Sequence, residues 1–556
     1  MSGEALLVAP IGVPFTWSRV MYTAPWANEV TVVSRTSVKL IREVLINKEL
    51  KPRVVMFAQD TIAAYSRFDK RGNPIAGTEC LPDPLDLPEG YLEPSRYQEF
   101  TAKISECIEQ WFRSAEDLDV TIHVLPGFGE HVYKISRNSE ARATWTLHPD
   151  LRGKGVEPME YLMGLQSIHL IASLEDAFRG EDAEIHVDLT HGLNYAGYSL
   201  YRSVLFAARV YAATYMAKVR ITLYNSEPYV PGARRLNVWI VRSETVKPRA
   251  AASRLVYTTI ATKCHDGKYT CLRPPDVLSE TKDHKGKLRA ALAKKFRGSN
   301  YEKDNQGDVT ARLRRAGWAA AAAVITGAPL LLAQAGVEGK GLPRASFILK
   351  VMRELIPYVH VAKPSANEVI INHEAAINYY YLRKLLALLA LAHYSSHTLG
   401  IDGVSIENKD SRLCRLDEKG GRSLVAVASL DSLEVIARDF IAGPSRDIVE
   451  REVSSFKAAL QGQASGADYM IVQCAAITGG RAEDPAEKKK VFDSKSFDLR
   501  IFTAHAGLTR RLLTVEYTPS GNPASSLKLY YDPCLLDIIY NGAQKLMERF
   551  AENVFE

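Results

Sequence analysis

The chain has 556 residues, 46% of them hydrophobic and 24% charged. That excludes a disordered or fibrous protein and leaves room for two to four globular domains at ~150 residues each. The net charge of +6 is mild, but between Lys282 and Arg315 eleven Lys and Arg stand against four Asp and Glu, a local +7. Such a segment is either a site for a polyanion or a solvated linker.

In chain order, "MSGEALLVAP" has neither the charged nor the apolar region of a secretory signal, so a cytoplasmic protein is expected. Residues 1–245 alternate short apolar runs with longer amphipathic stretches. The runs "ALLVAPIG", "VTVVSR", "RVVMFAQD", "VTIHVLPG", "EIHVDLTHG", "VRITLYNSEP" and "LNVWIVRS" predict strands. "SRYQEFTAKISECIEQWFRSAE" and "EYLMGLQSIHLIASLEDAF" predict helices. Strands alternating with helices imply a mostly parallel sheet covered on both faces.

From Val246 this alternation is lost, and residues 246–365 read as a linker or a basic accessory domain of helix-turn-helix type. Within them, "GWAAAAAVITGAPLLLAQAG" is long and apolar. It is interrupted by Pro329 and preceded by Arg314 and Arg315, which favours a buried helix or helix pair over a membrane span. Apolar spacing near 3.6 runs through "PRASFILKVMRELI", "EAAINYYYLRKLLALLALAHY" and "SLDSLEVIARDFI". "RLLTVEYTPSGNPASSLKLYYD" predicts two strands around a turn, and "LLDIIYNGAQKLMERFAENVF" a closing amphipathic helix. The expected fold is α/β plus all-α, with a mainly helical domain over 366–556.

Seven cysteines at 80, 107, 264, 271, 414, 474 and 534 are too scattered for a secreted disulfide framework. Cys264 and Cys271 are too far apart for a zinc knuckle, even with His265 and His284 nearby, so no metal site is expected.

Three polar strand ends stand out. "HVDLTHGLNYAG" runs from a strand through Asp188, Thr190, His191 and Gly192 to Asn194 at a helix start. Ligands of open α/β sheets sit at strand C-termini, and a helix start offers free N–H groups to phosphates. The alternative is a plain turn in which Asp188 and Thr190 cap the helix. In "VAPIGVPFTWSRVMY", Gly12, Val13 and Pro14 form a tight turn, and Trp17 can either stack on a base or fill the core. "YNSEPY" adds Asn225 at a third end.

The second feature is an Arg and a His with four to six residues between them. The chain has this spacing four times: Arg142–His148, Arg179–His186, Arg353–His360 and Arg500–His505. The first lies in a polar, irregular stretch, the second crosses Gly180, and the third straddles Pro357. Only "RIFTAH" reads as part of an unbroken helix. Residues five apart on a helix point ~140° apart, so one helix does not aim both at one point. Two such helices across a dimer would place two Arg and two His in one cleft. An imidazole can move a proton near neutral pH and a guanidinium can hold a phosphate, which suits RNA cleavage. The alternative is an exposed Arg and a packed His.

Together, "DLTHGLNY" and "RIFTAHAGL" resemble the D-x-T-H-G family of CRISPR-associated proteins and their HEPN motif. The resemblance implies an N-terminal CARF domain over 1–245, a Rossmann-like sensor of cyclic oligoadenylate. It also implies a C-terminal HEPN ribonuclease over 366–556 with a β-hairpin. The ligand contacts implied are Gly12, Val13, Pro14, Trp17, Asp188, Thr190, His191, Gly192, Asn194 and Asn225. The implied activity is cleavage of single-stranded RNA by Arg500 and His505 without a metal or other cofactor, leaving a 2′,3′-cyclic phosphate. The implied activator is cyclic tetra-adenylate or a ring of another size, made by type III interference complexes, and the implied assembly is a homodimer or a set of dimers. Family members commonly carry Asn directly after the motif Arg. Here it is Ile501, which implies a slower enzyme if that Asn supports catalysis. The rival from another class is a CARF-type, ligand-responsive nucleic-acid-binding regulator that uses the basic segment. A HEPN protein that binds RNA without cutting it is a third reading.

Overall fold

The computed structural model describes residues 3–154, 156–191, 194–230, 232–263, 267–270, 277–280, 309–347, 350, 358–410, 422–441, 445–460, 481–482, 485–494, 498–509, 511–517 and 527–555. Gly192, the side chain of Asn194, Cys264, His265, Cys271, His284, the basic run 281–308 and most of "PRASFILKVMRELI" lie outside them.

The first part of the chain runs β1 (Glu4–Pro10), β2 (Val20–Ala24), β3 (Val30–Ser34), α1 (Ser37–Asn47), β4 (Lys51–Gln59), β5 (Gly90–Leu92), α2 (Pro94–Glu116) and β6 (Thr121–Leu125). It continues as β7 (Gly129–Ser136), β8 (Ser139–Leu147), α3 (Pro149–Arg152), α4 (Pro158–Phe178), β9 (Ala183–Asp188), α5 (Asn194–Tyr215), β10 (Val219–Ser226) and β11 (Arg235–Val246). The main sheet has the order β3-β2-β11-β10-β9-β1-β4-β6. Its five strands from β10 to β6 are all parallel, as the run of buried apolar segments implies. Alternate residues of β1 feed two cores. Leu6 and Val8 face the layer that holds α4 and α5. Ala5, Leu7 and Ala9 face the layer that holds α1 and α2.

The remainder runs α6 (Pro248–Ile260), β12 (Leu278–Glu280), α7 (Val309–Thr326), α8 (Pro329–Gly339), β13 (Val359–Ser365), β14 (Glu368–His373), β15 (Ala375–Ile377) and α9 (Tyr379–Ser396). After these come β16 (Val404–Asp410), β17 (Arg422–Ser429), α10 (Leu430–Phe440), α11 (Ser445–Leu460), β18 (Arg481–Ala482), α12 (Pro485–Ser494), α13 (Leu499–Ala504), β19 (Leu513–Tyr517), β20 (Leu527–Tyr531) and α14 (Leu536–Phe555). The Ala-rich segment is a buried helix pair, α7 and α8, broken at Gly327. No helix among the described residues is long and apolar enough to cross a membrane. Small residues let α8 lie against α9: a Cβ on Gly339 would fall 2.4 Å from the Ala392 carbonyl oxygen. α6 packs on both α5 and α9, so helices of the middle segment join the two halves.

Four sequence expectations need correction. The stretch around Arg142 is not irregular: β7 and β8 form an antiparallel hairpin. β8 pairs in parallel with β14, from far along the chain, and β5 pairs with β13, which makes a second sheet of five strands, β5-β13-β14-β8-β7. The β13–β14 hairpin crosses position 365/366. The C-terminal part is less helical than expected, because β19 and β20 pair as read but belong to a five-stranded sheet, β16-β17-β20-β19-β18. In β16 and β17, runs of seven and eight residues were too short to separate from helix by periodicity. The cysteines are not all free: Cys80 and Cys107 are disulfide-bonded across 27 residues, and Cys534 is also in a disulfide. The fourth correction concerns the helix that carries Arg500 and is described with its site.

Candidate ligand crevice and candidate nuclease site

The chain leaves β1 toward β4 on one side of the sheet and later returns to β9 on the other. The crevice beyond β1 and β9 is therefore a topological switch point. The turn after β9 is built around Asp188, which is fully buried. One of its carboxylate oxygens accepts from the backbone N–H of Thr190 (3.0 Å) and its hydroxyl (2.5 Å), and the other accepts from the Ser37 hydroxyl (2.5 Å). The Thr190 hydroxyl accepts from the backbone N–H of Ser226. Asp188 thus ties β9, β10 and the start of α1 together. It was expected to touch a ligand, but its oxygens are committed inside the protein, so it shapes the turn instead.

His191 stands above this turn. Its Nε2 accepts from the backbone N–H of Ser37 (3.3 Å), which leaves Nδ1–H as the donor. Burial lowers its pKa and nearby Asp188 opposes that, so the ring is neutral at pH 7. Trp17 stacks on this imidazole with centroids 4.2 Å apart and meets Phe112 edge-on. The expected base-stacking face of Trp17 is therefore covered by His191. Pro14 is buried and opens a short 3-10 turn.

Two cavities lie at these strand ends, on either side of the first turn of α5. One, about 370 Å³, is lined by Thr190, His191 and Asn225, with Tyr198 of α5. The other, about 350 Å³, is lined by Gly12 and Val13, with Tyr195 and Ala196 of α5. The structure thus brings Thr190, His191 and Asn225 together, and Gly12 and Val13 separately beside them. Sequence reading missed Gln59, Gln166 and Tyr195 in the second cavity. Gln59 ends a predicted strand, but Gln166 lies inside an apolar helix and gives no signal.

Under that cavity, next to Thr61, is a buried polar cluster. Asp60 accepts from the Gly127 N–H (2.7 Å) and the Tyr97 hydroxyl (2.5 Å), and the Trp145 indole donates to that same hydroxyl (3.3 Å). His373 of β14 lies 3.9 Å away. Burial pushes the Asp60 pKa up to about 7 and that of His373 down to about 3. Asp60 ionises near 3.8 when unfolded, so folding takes up its proton between pH 4 and 7 and its contribution to stability is lost as pH rises through that window. His373, neutral in the fold and protonated below about 6.5 when unfolded, contributes with the opposite sign between pH 3 and 6.5 and offsets it. Asp60→Asn is therefore expected to gain stability on the wild type as pH rises from 4 to 7, by up to about 4 kcal/mol at ~1.4 kcal/mol per unit. Denaturant melts of both proteins at several pH values check this. A constant difference would contradict the buried-acid assignment.

At the other end of the molecule, Arg500 and His505 sit on α13. This is the fourth correction: the stretch is not a long helix but six residues, with His505 as its C-cap. Asp498 caps the start by accepting from the N–H groups of Arg500 and Ile501. Ala506 and Gly507 then turn left-handed (φ 47° and 77°) and end it. A Cβ on Gly507 would come within 2.8 Å of the Tyr531 hydroxyl. Arg500 is exposed and its guanidinium has no partner among the described residues. The half-buried His505 has its Nδ1 3.3 Å from a carboxylate oxygen of Glu452 on α11. A carboxylate there orients the ring and favours a proton on Nδ1, leaving Nε2 free to exchange one. Glu452, 53 residues upstream, had no signature in the sequence.

Residues 6–228 match the family model described as "CRISPR system endoribonuclease Csx1, CARF domain". The CRISPR system endoribonuclease Csx1 of Methanocaldococcus jannaschii is 41% identical over 68 residues, which is 12% of this chain and 14% of that relative. The matched region spans β1 to the end of β10, with the switch-point crevice and both cavities inside it. Over residues 6–228 the chain is therefore a CARF domain of the Csx1 family of CRISPR-associated proteins.

Proposed function

We propose that the protein is an endoribonuclease of type III CRISPR defence, activated by a cyclic oligoadenylate and acting on single-stranded RNA without a metal. The observation that carries this reading is the CARF match over a crevice with two cavities and a neutral, donor-bearing His191 at its rim. Two copies of the crevice facing each other suit a ring of repeated nucleotides, since each subunit meets an equivalent half.

In the nuclease, Arg500 holds the scissile phosphate and the charge that develops on it. His505, oriented by Glu452, moves a proton at Nε2 as the ribose 2′-OH attacks the phosphorus and the 5′-oxygen leaves, which yields a 2′,3′-cyclic phosphate. The short α13 presents one Arg and one His, and a second copy across a dimer axis supplies the others. Calorimetry of the full chain with cyclic tetra-adenylate is expected to give one ring per dimer. One ring per monomer would contradict the shared site, and no binding of any ring size would contradict the sensor.

A further inference from the structure

The cavity between β1 and β4 has walls and polar groups of different character. Ile11, Val13, Phe57, Ile62 and Leu162 make apolar walls, with Tyr65 and Phe128 as further rings. Two amides interrupt them. Gln59, at the end of β4, is held at one end of its amide by the Tyr195 hydroxyl (2.9 Å). Gln166 of α4 is 1% exposed and is held at one end by the Ser203 hydroxyl (3.2 Å). Each amide keeps its other end without a protein partner among the described residues. Buried amide groups are ordinarily satisfied, and leaving one unpaired costs about 1–3 kcal/mol. An unpaired amide end on the wall of an open cavity is thus poised for a ligand.

Size limits what that ligand is. A cavity of about 350 Å³ is at the small end for a ligand pocket and takes one base-sized group, not a whole ring of nucleotides. Flat apolar walls with aromatic rings favour a planar group, and base stacking on such rings contributes ~1–3 kcal/mol. Glutamine amides pair with the hydrogen-bonding edge of adenine. We infer that this cavity is a base pocket that takes one adenine of the activator ring, with Gln59 and Gln166 as the residues that read its edge. This rests on the proposed activator. It assigns the base to the β1–β4 side of α5, apart from the turn of Thr190 and His191.

The test uses the full chain and calorimetry with cyclic tetra-adenylate. Gln166→Leu keeps the side-chain size, and the Ser203 hydroxyl retains the Met163 carbonyl as acceptor (3.2 Å), so the fold is kept. Its affinity for the ring is expected to fall about tenfold or more, the factor for one buried hydrogen bond left unmade. Ala196→Trp, on the half-exposed first turn of α5, is expected to fill the cavity and weaken binding further. Cyclic tetra-uridylate, with smaller bases, is expected to bind the wild type more weakly than the adenylate ring. Wild-type affinity for the ring in both variants would overturn the pocket and leave the sensor reading standing, as would equal affinity for the two rings. A wild type that binds no ring would overturn both.

Discussion

Replacing His505 with alanine is expected to slow RNA cleavage by about 10²–10⁴-fold, the usual cost of losing a positioned proton-transfer group. Ring binding and the oligomeric state should not change. α13 is a six-residue helix capped by Asp498 and closed by a left-handed turn, so truncating an exposed or half-buried side chain on it removes little packing. Arg500→Ala is expected to cost a similar factor, because its exposed guanidinium makes no contact with the described fold. Arg500→Lys should recover only part of the loss, since an ammonium restores charge but not the two-pronged geometry that grips a phosphate. Cleavage products separated on a gel over a time course provide the measurement, with ring affinity of each variant as the control. Full activity in His505→Ala would move the chemistry elsewhere and leave the stretch an ordinary helix terminus.

Asp188→Ala is expected to damage the other end of the protein more than any substitution in the nuclease would. Its two carboxylate oxygens accept from the Ser37 hydroxyl, the Thr190 hydroxyl and the Thr190 N–H, all inside the fold. Alanine leaves those donors without their acceptor, which costs about 2–4 kcal/mol given ~1–3 kcal/mol for each unsatisfied buried group. The turn then loses its tie to α1, and His191, which accepts from Ser37, loses its position. A lower melting temperature together with loss of ring binding is the expected outcome. Asp188→Asn, which keeps one acceptor, should lose less on both counts. Unchanged stability in Asp188→Ala would mean that the buried carboxylate does not hold the turn.

The parts of this structure that could be read from sequence are those set by local pattern. β1, β4, β9 and β10 are buried on both faces, so they appear as continuous apolar runs, and the helices between them carry their own periodicity. The polar residues that follow β9 mark the crevice because strand ends must hand the chain to a loop. The pairing of β14 with β8 could not be read, because it joins residues more than two hundred apart and depends on tertiary packing alone. The β7–β8 hairpin was legible in principle from the alternation in "HVYKISRNSEARATWTL". The end of α13 was also signalled, by Gly507 directly after "RIFTAHA". Gln166 and Glu452 became visible only in three dimensions, one as a polar end facing a cavity and the other as a carboxylate beside a distant histidine.

The coupling of the sensor to the nuclease is tested most directly by RNA cleavage with purified full-length protein, with and without cyclic tetra-adenylate, in the presence of EDTA. The expected result is slow or no cleavage of single-stranded RNA alone, rapid cleavage once the ring is added, no inhibition by EDTA, and loss of activity in His505→Ala. Binding of the ring with no RNA cleavage under any condition would contradict the account and point to a ligand-responsive nucleic-acid-binding regulator.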